Sequence, residues 1–474
     1  MKKLFSILSL CFLLTLVFTS FQGQTQSNSE PPTWARVYYE EAEWMQVYSV
    51  LENNTNDGYF ITGYSSSWIL KLSSEEGDVE WKQADTYPDG PVFDAHSIQQ
   101  TIDGGYVAIG NYTPPNYVIS PGFGVIKFSQ QFDIEWARNY NGPFYENPFS
   151  IQQTSDGGYI LAGATFSFID PLPPEIAYDV WVLKLSSTGD VEWQKVYGGL
   201  GHEIQRSGRN MVTILETGDG GYIFACDTNS FGAGWTDLWL VKLTSTGDIK
   251  WQKTYGGAQS EWFSIGGPHI QLTNDGGYII AGSTLSFGVG YSDVWILRIS
   301  PTGDIEWQKT YGGASGADFA HAIQPTNDGG YVITGGTNSF GVGSPDFWLL
   351  KISADGDIEL QKTYGGDGLE EARCVQQTSD GGYIMAGTTN SFTPAHTDTL
   401  VIKVSPTGEL GPGDGLIKVR NSDAVVQDTY VSPSDTTVIP RVTNGSASLA
   451  DPVFAERELL SEVVAWPLHP LLFL

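Results

Sequence analysis

The sequence predicts an all-β protein, a seven-bladed β-propeller of four-stranded blades closed by an N-terminal strand that completes the last blade. Three observations carry this expectation. The phrase Asp-Gly-Gly-Tyr (Asp-Gly-Tyr in the first copy) recurs seven times, with its tyrosine at Tyr59, Tyr106, Tyr159, Tyr222, Tyr278, Tyr331 and Tyr383. Seven copies at this spacing signal stacked supersecondary units. The composition, with 56 Gly, 13% aromatic and 16% charged residues, suits short strands joined by tight turns. Finally, a strand phrase that ends each copy occurs once before the first copy and is missing from the last.

Taken in order, the chain opens with Lys2-Lys3, an apolar run from Leu4 to Phe18, and polar residues from Thr19. That order is the pattern of a secretory signal, so residues 1–24 are read as a signal peptide and the protein as secreted or held at the cell surface. The run is short for a bilayer span and interrupted by Ser6, Ser9 and Thr15. Cys11 lacks the small preceding residue of a lipoprotein signal.

Residues 31–410 are read as the propeller. In the copy between Trp251 and Trp307, strand A is expected from His269 to Thr273, and Asn274-Asp275-Gly276-Gly277 forms a hairpin turn. Strand B follows from Tyr278 to Ser283, strand C from Asp293 to Ile299 and strand D from Ile305 to Tyr311. Strands C and D alternate with period two, placing Trp295 and Trp307 on buried faces. A single such sheet leaves two apolar faces bare, and packing seven of them radially covers both.

The tryptophan of strand D stands at Trp34, Trp81, Trp136, Trp193, Trp251 and Trp307, with Leu360 in the seventh place. Trp34 precedes any A strand, and the last copy stops near Leu410 without a D strand. The first strand is therefore expected to supply the missing outer strand. Residues 411–458 read as a Ser/Thr/Pro/Asp-rich linker, and residues 459–474 as a short apolar segment of unknown role.

The formal net charge is −30, from 24 basic and 54 acidic residues. A surface of that sign repels phosphate backbones and excludes nucleic acid as a partner, while cations and neutral sugars remain compatible with it. Outside the leader, Cys226 and Cys374 fall in different repeats and read as two buried thiols.

The phrases Trp307-Gln-Lys-Thr-Tyr-Gly-Gly, Asp328-Gly-Gly-Tyr-Val-Ile-Thr-Gly and Asp346-Phe-Trp-Leu-Leu-Lys resemble the SBBP-type Tyr-Gly-Gly repeats of bacterial and archaeal secreted propellers. The resemblance runs from Trp34 to Leu410. It implies the fold and an exported location, and no particular activity. The turn in Leu185-Ser-Ser-Thr-Gly-Asp-Val-Glu-Trp193 is similar to that of quinoprotein and Asp-box propellers. The adjacent cysteines of the former and the Arg-Ile-Pro start of sialidases are missing.

Six D-strand and five C-strand tryptophans (Trp68, Trp181, Trp239, Trp295 and Trp348) are assigned to the core. Trp44, Trp235 and Trp262 fall in D–A or B–C loops, which propeller topology places on one face. There an aromatic ring beside carboxylates suits the C–H faces and hydroxyls of a sugar. The competing reading is that each ring plugs its own loop. The crossing from Leu200 to Met211, beside the Pro-rich loop Phe166 to Tyr178, adds His202, Glu203, Arg206 and Arg209 as candidate ligand-binding residues, and Glu261 accompanies Trp262.

Each D–A crossing carries one acid: Glu43, Asp94, Glu146, Glu203, Glu261, Asp318 and Glu370. Such a ring could hold Ca²⁺, or each acid could cap its own loop; no other cofactor is expected. Asp179, Asp237, Asp293, Asp346 and Asp398 open the C strands and read as structural on the same capping argument. His96 and His321, with Arg373 as their counterpart, are placed along the channel. The expected role is a monomeric, non-enzymatic module that binds a glycan or a cell-surface protein. The alternatives are a polysaccharide hydrolase or lyase using carboxylates among Glu203, Glu261 and Asp318, and a purely architectural module.

Overall fold

A computed structural model of the chain describes residues 31–411 apart from 40–45, 54, 56, 65–67, 85–91, 114–121, 143, 168–177, 200, 204–211, 264–268, 344 and 393–396. Beyond these it describes 417–421, 425–428, 434–435, 448–450 and 464–467. The expected signal peptide lies outside the described residues.

Seven antiparallel sheets follow one another along the chain, each with strands A to D in sequence order. Blades 1 to 6 span residues 46–84, 92–141, 146–197, 213–255, 261–312 and 318–365. Blade 7 takes three strands from 370–404 and its fourth from Trp34–Tyr39, which pairs with Asp398–Val404 in the register Trp34↔Lys403.

Every residue of strands Tyr278–Thr284 and Asp293–Ile299 is buried. These are the two inner strands of their blade, with a neighbouring sheet on both faces, so both side-chain rows are apolar rather than alternate. The outer strand Ile305–Gly312 alternates along its first half.

The core is divided into seven clusters, each built from two adjacent blades. Leu238, Leu240 and Tyr255 of blade 4 pack with Ile280, Trp295 and Leu297 of blade 5. Tyr38 and Val401 of blade 7 pack with Ile61, Trp68 and Leu70 of blade 1. An open array of seven sheets has six internal interfaces, so the seventh cluster closes the ring. The chain is a seven-bladed β-propeller.

The repeat phrase encodes these interfaces. In blade 4, the strand-D indole of Trp251 donates to the Pro301 carbonyl at 3.3 Å, and Lys253 Nζ meets Asp304 Oδ1 at 2.9 Å. Tyr255 Oη reaches the Gly303 carbonyl at 2.7 Å. All three acceptors lie in the C–D turn of blade 5. Ser300 holds that turn, its Oγ accepting from Asp304 N at 3.1 Å, and Gly303 sits at φ +83°. The C-strand tryptophans are fully enclosed, but Trp136, Trp193, Trp251 and Trp307 are only half-buried, a correction to their expected core status. Strand D is outermost, so the next blade covers one side of its ring and solvent reaches the other.

The acid of the A–B hairpin is structural as well. In blade 3, Thr154 Oγ1 donates to Asp156 Oδ1 at 2.5 Å and Lys184 Nζ lies 2.9 Å from Asp156 Oδ2. Burial alone would raise this carboxyl, and the bonds from Thr154, Lys184 and Gly158 N–H overcome that and hold it at about 2. Cys226 and Cys374 are free buried thiols.

Within the spans read as a linker and a short apolar segment, short strands add to the outer edges of blades. Lys418–Asn421 pairs with strand D of blade 6, Val425–Asp428 with that of blade 5 and Ser434–Asp435 with that of blade 4. Ser448–Ala450 pairs with strand D of blade 2, and Val464–Pro467 with Trp34–Tyr39.

Candidate binding face

The B–C loop of each of blades 4 and 5 lies against the crossing that leads into the next blade. Trp235 N donates to Gln259 O at 3.0 Å, and Tyr291 N to Gly316 O at 2.9 Å. Thr236 and Ser260, and likewise Ser292 and Ala317, form isolated parallel bridges. Both loop sets therefore share one face, held by backbone bonds.

The phenylalanine of each Ser-Phe-Gly loop start fills its own loop. Phe231 packs against Trp239 with ring centroids 5.2 Å apart, and Phe287 against Trp295 at 5.4 Å. With the loop interior filled from below, the residue at its tip faces outward. Trp235 is 81% exposed and Tyr291 76%. The two occupy equivalent positions, Ser230-Phe-Gly-Ala-Gly-Trp235 and Ser286-Phe-Gly-Val-Gly-Tyr291. Aligning those two loops reveals Tyr291, which a search confined to tryptophan misses. Phe144 and Tyr145, on the crossing into blade 3, are also exposed, and Phe144, Phe166 and Tyr178 form a chain of ring contacts at 5.7 and 6.1 Å.

The other expected ligand-binding residues distribute differently. Trp262 is half-buried and lies in a short strand, Glu261–Trp262, paired with Ser283 and Thr284, rather than in a loop. The first strand of blade 5 is split, and this is its leading piece. His202 lies at the crossing into blade 4, its N–H donating to Asn229 Oδ1 at 2.6 Å. Trp44, Arg206 and Arg209 lie outside the described residues.

Glu203 and Glu261 sit beneath the face with no exposed surface, as do Glu146, Asp318 and Glu370. These acids do cap their own crossings: Gly257 N donates to Glu261 Oε2 at 2.8 Å and Gly313 N to Asp318 Oδ2 at 2.9 Å. All but Glu146 also meet the aspartate opening strand C of the preceding blade. A Cβ placed on Gly256 would overlap Asp237 Oδ1 and lie 2.6 Å from Glu261 Oε2. A Cβ on Gly312 would overlap Asp293 Oδ1 and lie 2.9 Å from Asp318 Oδ2. The first glycine of Tyr-Gly-Gly is thus required by a carboxylate pair.

Burial, with the nearby Glu261 charge as a lesser contributor, pushes Asp237 up to about 6. Burial and then the Asp179 charge push Glu203 well above the carboxylate range. Asp293 is raised by burial and by Asp318. Blade 1 has Ser66 and blade 2 has Gly122 where the other five blades have this aspartate, so Glu146, on the crossing after blade 2, lacks such a partner. Burial raises it to about 7 against bonds from Ser167, Gly142 N–H and Thr165.

The channel, lined by the A strands of all seven blades, encloses about 420 Å³. Its wall is neutral and polar, with Ser97, Ser150, Thr213 and the amides of Gln271 and Gln324. Tyr48, His96 and Phe149 stand at bulges of their strands and form an aromatic arc with centroid separations of 4.7 and 5.9 Å. Burial lowers His96 to about 4, so its ring is neutral. His321 and Arg373 occupy the same bulge position in blades 6 and 7. Among the described residues, no group of three or more His, Cys, Asp or Glu side chains is placed to hold a metal.

No family model matches the chain, and no curated protein matches it. Among solved structures, it is similar to the β-propeller domain of Cps50 (Swd1) from Myceliophteria thermophila. The identity is 10% over 78% of this chain and 100% of that one, with a TM-score of 0.44. Hydrazine synthase from Kuenenia stuttgartiensis gives 10% identity, coverage of 82% and 99%, and a TM-score of 0.45. A putative 6-phosphogluconolactonase from Bacteroides fragilis gives 11%, 82% and 99%, and 0.40. Likenesses this remote concern the fold, and the function has to be argued from the face itself.

Proposed function

We propose that this protein is an exported, non-enzymatic binding module that takes a glycan on its B–C and D–A loop face, with Trp235 and Tyr291 as stacking platforms. The observation that carries this is the exposure of two large aromatic rings at equivalent tips of neighbouring loops. An exposed ring this large has unsatisfied apolar area, and its face suits the C–H surface of a sugar. The loops beneath are tied to the next crossing by backbone bonds, so little ordering cost remains for binding.

Two further observations support binding over hydrolysis. The carboxylates Glu203, Glu261 and Asp318 are fully buried, whereas an acid and base pair must touch the scissile bond. The strong negative charge disfavours acidic polysaccharides and leaves neutral glycans as the fitting class. The Lys2-Lys3 start and apolar run support export.

The test is a screen of the purified protein against neutral polysaccharides, reading retention and release of reducing ends together. Retention that falls at least tenfold in Trp235→Ala and Tyr291→Ala, without new reducing ends, is the expected result. New reducing ends would replace this reading with the hydrolase. Retention unchanged in both variants, or seen with no polysaccharide, would leave a protein partner or an architectural role in its place.

A further inference from the structure

Asp293 is buried, and its Oδ2 accepts from Val289 N at 2.6 Å and Gly290 N at 3.0 Å. Its other oxygen, Oδ1, is buried with no hydrogen-bond donor, and Asp237 Oδ1 is in the same condition one blade earlier. What surrounds Asp293 Oδ1 is more oxygen. The point where a Cβ on Gly290 would sit lies 2.8 Å from the Gly313 carbonyl, 3.1 Å from Asp293 Oδ1 and 3.1 Å from the Gly316 carbonyl. Asp318 Oδ2 approaches from the side of Gly312.

Oxygens converge in the same way at the neighbouring interfaces, although Asp346 Oδ1 accepts from Gly343 N at 3.1 Å where Asp293 Oδ1 and Asp237 Oδ1 have no donor. Around Gly343, in blade 6, stand Asp346 Oδ1 at 2.7 Å, the Gly366 carbonyl at 3.2 Å and the Gly368 carbonyl, with Glu370 Oε2 beside Gly365. Around Gly234, in blade 4, stand the carbonyls of Gln259 and Gly257, with Asp237 and Glu261 meeting at Gly256. No Lys or Arg forms an ion pair with any of these six acids among the described residues, and the one cation felt there is Arg420, whose charge acts on Asp346 from a greater distance.

Two carboxylates out of water at this separation need a compensating charge, because desolvation and mutual repulsion both oppose the doubly ionised pair. A proton would satisfy the carboxylates without using the carbonyls beside them; those of Gly316 and Gln259 already accept from Tyr291 and Trp235 N–H, and each keeps a second lone pair. A hard cation satisfies both, since carboxylate and backbone carbonyl oxygens are its preferred ligands. We propose that the 4/5, 5/6 and 6/7 blade interfaces each bind one calcium ion between the strand-C aspartate, the crossing acid and the two crossing carbonyls. Calcium fits better than magnesium, which demands a tight octahedron and gives up its waters reluctantly. The ion lies at the base of the B–C loops, where it would fasten each loop to the next blade. This inference does not depend on the ligand of the loop face.

The experiment compares the purified protein in EDTA and in 5 mM CaCl₂, with stoichiometry from calorimetric titration and stability from thermal unfolding. One ion for each of the three interfaces is expected, with Tm raised by about 5–10 °C and a much smaller rise in 5 mM MgCl₂. Asp293→Asn, which keeps the shape and removes the charge, should bind one ion fewer and lose about a third of the Tm gain. A wild-type protein that takes up no calcium and melts at the same temperature in EDTA overturns the proposal. So does an Asp293→Asn variant with unchanged stoichiometry. Should that variant fail to fold, Asp346→Asn reads the same loss at the 6/7 interface. Proton-sharing pairs would give a third pattern, with no calcium uptake and a Tm that climbs as pH falls, and that pattern also rejects the sites.

Discussion

The phenol of Tyr255 donates a 2.7 Å hydrogen bond to the carbonyl of Gly303, 48 residues away and in the next blade. The same bond joins Tyr197 to Gly247, Tyr311 to Gly356 and Tyr364 to Gly408. A tyrosine that looks like part of one repeat therefore acts between two. Replacing Tyr255 by Phe removes the only side-chain donor of a buried ring and leaves a turn carbonyl without its partner. Loss of such a bond costs about 1–2 kcal/mol. Chemical denaturation of Tyr255→Phe should show that loss with an unchanged m-value, and an unaltered midpoint would refute the assignment of this bond to interface stability.

Two glycines should respond very differently to Ala. Gly157 has φ +83° and nothing within 4 Å of its missing Cβ, so only backbone strain opposes the change, about 1 kcal/mol. Gly312 has no such φ, but its Cβ would overlap Asp293 Oδ1. Pushing apart a buried carboxylate pair costs about 3 kcal/mol or more. Denaturation of Gly312→Ala and Gly157→Ala side by side checks the order. A Gly157 variant that loses more would show that turn conformation outweighs the carboxylate pair.

The repeat made the ring legible, because Trp, Lys, Tyr and Gly recur for contacts that recur. The pairing of Asp293 with Asp318 was not legible. Each has a local cap that accounts for it alone, and their meeting depends on how blade 6 packs on blade 5. The tips were half legible: Trp235 stood out by residue type, while Tyr291 needed the two loops set in register. The edge strands after Gly411 were hidden for another reason. Pairing of Lys418–Asn421 with Lys362–Gly365 is made by backbone groups, which leave little trace in side-chain pattern.

Cys226 and Cys374 are both free and buried, and burial pushes both thiols well above their ordinary range. The thiolate is the reactive form, so neither should be alkylated in the native ring. Mass spectrometry after treatment with iodoacetamide should find neither labelled in buffer and both labelled in 6 M guanidinium. Rapid native labelling of either would contradict its buried position.

Glu146 stands near 7 in the folded chain against an ordinary 4.5, raised by burial with no aspartate partner across the interface. A raised folded value means that the native state binds the extra proton between those two pH values. Its contribution is therefore fully present below about pH 4.5 and is lost as pH rises through 7, by an amount of about 3 kcal/mol. Glu146→Gln keeps the hydrogen-bonding shape and removes the titration. The difference in unfolding free energy between variant and wild type should grow from pH 5 to pH 8 in favour of the variant. A difference constant across that range would show that Glu146 does not titrate with folding.

The outer strand of a propeller blade presents unpaired backbone groups, a template for another chain. Here Lys418–Asn421 and Val425–Asp428 occupy those edges on blades 6 and 5, with Lys418 Nζ also 2.5 Å from Asp367 Oδ1. The ion pair is exposed and adds little, so the backbone ladder carries the contact. Truncation after Gly411 removes these strands but none of the seven interblade clusters, apart from the contact of Ile417 in the 6/7 cluster. The truncated chain should keep its far-ultraviolet spectrum and unfold within about 2 kcal/mol of the full chain. It should also self-associate, because the strand edges of blades 2, 4, 5, 6 and 7 are now open. Light scattering at rising concentration reads this directly: growing mass for the truncated chain and constant mass for the full one. Equal and constant masses would mean that the edges are protected by their own twist and charge, and that the tail serves no covering role.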